Sequence, residues 1–178
     1  MLIMNEKDFQ IYAGLLGIRS VYVPPEINRA GLDPGAAADP LAGCETLLAT
    51  TLRTALASGG LHIASDEEVA RRAYDGTAAL GLVVDTPAQI GDGEVLPMIL
   101  TLCVNRPGSF IVRGQPWTLS ACVFPQQCAI WPPVSEALPE AERLLKNMAF
   151  ALIHWWGRIN RLSDSEILAV TRPAGSTN

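Results

Sequence analysis

Apolar positions change period along this chain, and the changes mark its elements. Ile18 to Val23 is a short apolar run with Val21, Tyr22 and Val23, the composition of a strand. Pro24-Pro25 ends it, because proline cannot donate to a ladder. A long loop is expected from Glu26 to Ala38, punctuated by Gly31, Pro34 and Gly35. Asp39-Pro40 reads as an N-cap followed by a first-turn proline. Leu41, Cys44, Leu48, Leu52, Ala55 and Leu56 then recur at helical spacing, so a helix is predicted from Pro40 to Ser58, stopped by Gly59-Gly60.

Leu61 to Ala64 predicts a short strand. Ser65-Asp66-Glu67-Glu68 places a cap and acids at the start of a short helix ending near Ala73. Strands are predicted over Ala78–Ile90, Leu96–Asn105, Phe110–Arg113 and Trp117–Phe124, with turns at Gly91-Asp92-Gly93 and Arg106-Pro107-Gly108-Ser109. Pro132-Pro133 breaks the sheet. Ser135 opens the longest helix, to about Arg161, with an apolar ladder of Leu138, Ala141, Leu145, Ala149, Leu152 and Trp156.

Strands close in sequence favour antiparallel hairpins. The predicted fold is therefore α+β, a two-layer sandwich with two main helices packed on one face of a mostly antiparallel four- or five-stranded sheet. Residues 1–16 are expected as an N-terminal extension, 17–162 as a single domain, and 163–178 as a flexible tail.

Composition narrows the function. Of 178 residues, 49% are hydrophobic and only 17% charged, so some apolar surface is expected to meet a partner. The net charge of −5 and the scattered Lys and Arg argue against a nucleic-acid binder. No transmembrane run is present, and Met1 to Gln10 is too polar for a secretory core. Cys44, Cys103, Cys122 and Cys128 match no zinc spacing. Buried thiols are expected, with a cross-strand pair among Cys103, Cys122 and Cys128 open in an oxidising compartment.

Catalytic patterns are sparse. Ala57-Ser58-Gly59-Gly60-Leu61 is a helix end, not a nucleophile elbow. His62 and His154 lack an evident nucleophile partner. Asp66, Glu67 and Glu68 read as a solvated first turn, and Asp85 and Asp92 stand alone. Gly91-Asp92-Gly93 lacks the third glycine of a dinucleotide fingerprint, and the lysines are only Lys7 and Lys146. No cofactor and no metal is expected, and the chain reads as non-enzymatic. An enzyme using Asp85, Asp92 or a cysteine is the third reading. Trp117, Trp131 and Trp155 are the candidate partner-binding residues, with core filling as the plain alternative.

Gly17-Ile18-Arg19-Ser20-Val21-Tyr22-Val23-Pro24, then Asn28-Arg29 and Pro34-Gly35, resembles the opening of the lipopolysaccharide-assembly outer-membrane lipoprotein family (LptE type). The helix Leu47 to Ser58 and the turn Gly59-Gly60-Leu61 follow in the family's order. The likeness spans residues 17 to 160, with its specific motif in about the first twenty. The family's signal peptide and lipidated cysteine have no counterpart in residues 1–16, and Ala30 replaces the usual hydroxyl residue. The resemblance implies a periplasmic assembly factor that binds an outer-membrane β-barrel and lipopolysaccharide. Arg53, Arg71, Arg72 and Arg113 are the cations expected to meet lipid phosphates. Similar two-layer folds occur in the TolB amino-terminal domain and in lipoproteins that activate cell-wall synthases, which makes a protein–protein adaptor the alternative. The expected location is the periplasmic face of the outer membrane, with the cytoplasm as the other option.

Overall fold

A computed structural model describes residues 6–30, 40–71, 76–86, 94–163 and 167. Among the described residues there are four helices: α1 (Glu6–Tyr12), α2 (Glu45–Ser58), α3 (Asp66–Arg71) and α4 (Ala137–Ile159). The strands are β1 (Ser20–Tyr22), β2 (Asn28–Ala30), β3 (His62–Ile63), β4 (Thr77–Asp85), β5 (Met98–Val112) and β6 (Gln115–Ile130). The protein is α+β with a mixed sheet in the order β3-β1-β4-β5-β6.

The sheet corrects the expectation of a mostly antiparallel arrangement. β1 runs parallel to β3 and β4, and β2 is parallel to β4, while β4-β5 and β5-β6 are antiparallel. The cause is the helical crossover. α2 lies between β2 and β3, and a helix carries the chain back so that its flanking strands run the same way. β1 and β2 are successive segments along one edge of β4, pairing at Thr77–Ala79 and at Val83–Asp85. Pro24-Pro25 lies between them and removes the donors that one continuous strand would use.

A second correction concerns the hairpin. Residues 96–105 and 110–113 were expected as separate strands around a turn at Arg106–Ser109. They form one long strand, β5, and the turn lies at Arg113-Gly114, both at positive φ (52° and 77°). Beyond Asn105 the strand has no β4 partner, so Pro107 needs to supply no donor on that side.

Alternation along the strands lines one face with core. Ala78, Leu80, Leu82 and Val84 on β4 and Met98, Leu100, Leu102 and Val104 on β5 are buried, and their registers pair core residue with core residue. Leu48, Leu52 and Leu56 of α2 and Leu145, Ala149 and Leu152 of α4 join the same cluster. α2 starts later than expected, at Glu45, because Gly43 at φ 76° breaks the helical path. The proposed Asp39 cap, the 91–93 turn and residues 164–166 and 168–178 of the tail lie outside the described residues.

The segment before residue 17, expected as an extension, supplies α1 and a 3-10 turn at Ala13–Leu15, and Phe9 and Leu15 are buried in the common core. Side chains from distant parts of the chain tie it down. Arg106 donates to the Leu16 carbonyl at 2.7 Å. Asn160 accepts from the Gly17 amide at 2.7 Å and donates to the Leu15 carbonyl at 3.0 Å. A bulge between Val104 and Asn105 leaves Val123 as the extra residue of β6, and a Cβ on Gly14 would meet the Val123 side chain.

Candidate functional site

α2 and α4 lie side by side, and their outer faces leave a cleft of about 720 Å³ between them. Thr50, Thr51, Thr54 and Ser58 line it from α2, at the helical spacing that puts them on one face. Lys146, Phe150 and Ile153 line it from α4 with the same periodicity. The floor is closed at one end by Gly59, where a Cβ would overlap the Ile153 side chain. The other end carries a polar contact, Thr51 Oγ1 donating to Glu142 Oε1 at 3.2 Å. Phe150 is 71% exposed, an unusual position for a phenylalanine. Leu47, one turn before the threonines, is also exposed. The cleft can hold an apolar side chain or segment, with hydroxyls and one ammonium group at its rim.

Two of the expected lipid-facing cations, Arg53 and Arg113, lie apart in the fold. Arg53 turns back onto its own fold and donates to the Val23 carbonyl from Nη2 at 2.9 Å and from Nε at 3.3 Å. Arg113 is exposed at the β5–β6 turn. Val23 follows Tyr22, whose partner Ala79 pairs with Asn105, so Arg113 stands some eight residues farther along β5, roughly 26 Å. Arg71 ends α3, and Arg72 lies outside the described residues.

The three tryptophans also differ in setting. Trp155 stacks on Tyr12 with ring centroids 3.9 Å apart, and the Arg158 guanidinium lies 5.1 Å from its centroid. Those contacts suit the plain packing alternative for Trp155. Trp131 is 63% exposed just past the end of β6. Trp117 lies in β6, opposite Phe110 in the register. The fourth tryptophan, Trp156, donates from Nε1 to the Ile18 carbonyl at 2.7 Å.

Titratable groups occupy local structural roles. Ser65 and Glu68 form a reciprocal capping box, with Glu68 accepting from the Ser65 amide at 2.8 Å and the Ser65 hydroxyl accepting from the Glu68 amide at 3.2 Å. The Ser65 amide, and after it His62, hold the Glu68 carboxyl below its ordinary range. A hydrogen bond to Asp66 raises the Tyr22 phenol. Asp85 sits beside Ala30 and Ile99 in the register with Oδ1 buried, and Asp92 lies outside the described residues. Cys103 and Cys122 form a disulfide with Cα atoms 5.8 Å apart, whereas Cys44 and Cys128 are free thiols. Among the described residues no three His, Cys, Asp or Glu side chains are placed to share a metal ion.

Two features escaped the sequence reading. Phe150 falls off the 138–141–145–149–152–156 ladder and so belongs to another face of α4. Arg29 was read only as part of a motif. Its side chain is 5% exposed, 4.0 Å from Glu45 and with Nη2 donating to Thr86 at 3.5 Å. No protein-family model, curated protein or solved structure matches this chain.

Proposed function

We propose that the chain is a non-enzymatic outer-membrane assembly factor that binds a β-barrel protein and assists lipopolysaccharide transport or assembly. The observation that carries the binding role is the α2–α4 cleft with its exposed Phe150. Exposed Phe150 and Leu47 beside an open apolar cleft support a surface that a partner covers. The element order supports the envelope reading. β1 holds Ser20–Tyr22, β2 holds Asn28-Arg29, α2 ends at Ser58, and β3 follows Gly59-Gly60-Leu61, the succession that carries the family resemblance. The Cys103–Cys122 disulfide suits an oxidising compartment. In this reading α2 and α4 form one layer over the buried face of the sheet, which fixes the cleft on the outside of the molecule.

The second reading, an adaptor of TolB-amino-terminal-like or synthase-activator-like fold without a lipid role, is favoured by one observation. Arg53, a proposed phosphate ligand, is engaged with the Val23 carbonyl. Purification of the full-length native protein from membranes tests both. One β-barrel protein is expected to co-purify with the parent and not with Phe150→Asp, and lipopolysaccharide is expected to bind the parent directly. Barrel capture without lipopolysaccharide binding supports the adaptor. No barrel, or equal recovery with Phe150→Asp, overturns the proposal.

A further inference from the structure

β6 is an edge of the sheet: among the described residues its only strand partner is β5. An edge strand leaves a row of N–H and C=O groups open to another chain, and proteins blunt it with charges, prolines or bulges. β6 has a bulge at Val123 and a proline at 125, but no charged side chain anywhere from Gln115 to Ile130. Its last stretch, residues 126–130, therefore carries none of these guards.

Pro125 fixes which groups face outward there. Proline has no N–H to give, so its place opposite Cys103 is a non-hydrogen-bonded pair of the β5–β6 ladder. Pairs of the two kinds alternate, so Gln127 and Ala129 also turn their amides and carbonyls away from β5. Among the described residues no backbone group beyond the β5–β6 ladder bonds to them. Gln126 and Cys128 share a face with their buried partners Leu102 and Leu100. With Leu144 and Met148 of α4 they line a groove of about 440 Å³ along this edge. Gln126 Oε1 is buried and accepts no hydrogen bond among the described residues, a deficit that a chain entering the groove can make good. Past the end of the run, Trp131 is 63% exposed.

We propose that two copies of this chain pair antiparallel along residues 125–131, about a two-fold axis at Cys128, and so join their sheets into one. A second copy is the occupant because it brings an uncharged strand with the same outward groups, and that pattern is self-complementary under a two-fold axis. Gln127 of one copy then exchanges both backbone bonds with Ala129 of the other. Trp131 of the second copy falls opposite Pro125, which covers an indole otherwise left in water. Each chain carries a net charge of −5, so two copies meet with least repulsion where neither bears a charge. This inference is independent of the α2–α4 cleft, which takes Lys146, Phe150 and Ile153 from another flank of α4.

Sedimentation equilibrium of the purified full chain tests it. The parent is expected to dimerise reversibly at micromolar concentration. Gln127→Pro removes an amide that β5 does not use, so it should melt with the parent while its dimer Kd rises about tenfold or more. Gln127→Asn, which keeps the amide, should dimerise as the parent does. The free cysteine reads the register, whether or not the proline variant folds. At the two-fold axis the two Cys128 residues form a non-hydrogen-bonded pair with Cα atoms about 4.5 Å apart, within disulfide reach. In Cys44→Ser, where Cys128 is the remaining free thiol, copper-catalysed oxidation by oxygen is expected to link two copies through Cys128, and the double variant with Cys128→Ser to give no link. A monomer at every concentration overturns the proposal. So does a folded Gln127→Pro that dimerises like the parent, which would place the contact on another surface, or a Cys44→Ser protein that does not link.

Discussion

Trp156 Nε1 donates to the Ile18 carbonyl at 2.7 Å, joining the last turn of α4 to the residue that leads into β1 across 138 positions of sequence. Four residues on, Asn160 binds Gly17 and Leu15. Together the two side chains hold the start of the sheet against the end of the longest helix. Trp156→Phe removes one bond and is expected to cost about 1 kcal/mol, and Asn160→Ala, which removes more than one, about 2 kcal/mol. Urea unfolding measures both, and the ordering of the two losses is the check.

Gly59, at the end of α2, lies close against Ile153 of α4. Any side chain at 59 displaces the whole of Ile153, not merely its tip. Gly59→Ala is expected to destabilise by about 1–3 kcal/mol. Adding Ile153→Ala should relieve the overlap, so the double variant loses less than the two single losses summed. Additive losses would show that the helices do not meet there.

The capping box gives a pH dependence with a defined sign. The folded-state pKa of Glu68 is depressed, first by the Ser65 amide and then by His62. The stabilisation is therefore present above the ordinary pKa and is lost as pH falls through the folded one. NMR titration of the Glu68 side chain should give a midpoint below the ordinary 4.5, with α3 amide shifts moving at the same midpoint. Ser65→Ala should move the midpoint up less than a change that removes the Ser65 backbone contact, because the amide is the larger cause.

The disulfide predicts a thiol count. The oxidised protein, denatured, should present two reactive thiols, Cys44 and Cys128, and reduction should release Cys103 and Cys122. Replacing both bridged cysteines by serine is expected to cost about 2–3 kcal/mol, given the sequence separation of 19. Mass spectrometry of alkylated peptides identifies the pair.

Periodicity made the helices and most strands legible. The α4 ladder is one example, and the Ser65–Glu68 cap was readable from four letters. Strand direction was not, because parallel and antiparallel pairing share the same alternation, and only the α2 crossover decides between them. Pro107-Gly108 looked like a turn because the residue types suit one, yet a strand without a partner on one side tolerates both. Phe150 was visible as a residue off the ladder, whereas the cleft beside it depends on how α2 packs, which no local pattern reports. Arg53 looked free in sequence, and its bond to Val23 spans 30 residues.

The central claim is that the α2–α4 cleft is where a barrel partner docks. The most direct measurement places a photo-crosslinking amino acid at position 150 of the full-length protein in cells, with position 62, exposed on β3, as control. One crosslinked band containing a single outer-membrane β-barrel protein is expected from 150 and none from 62. No crosslink at 150, or the same bands from both positions, would contradict the account.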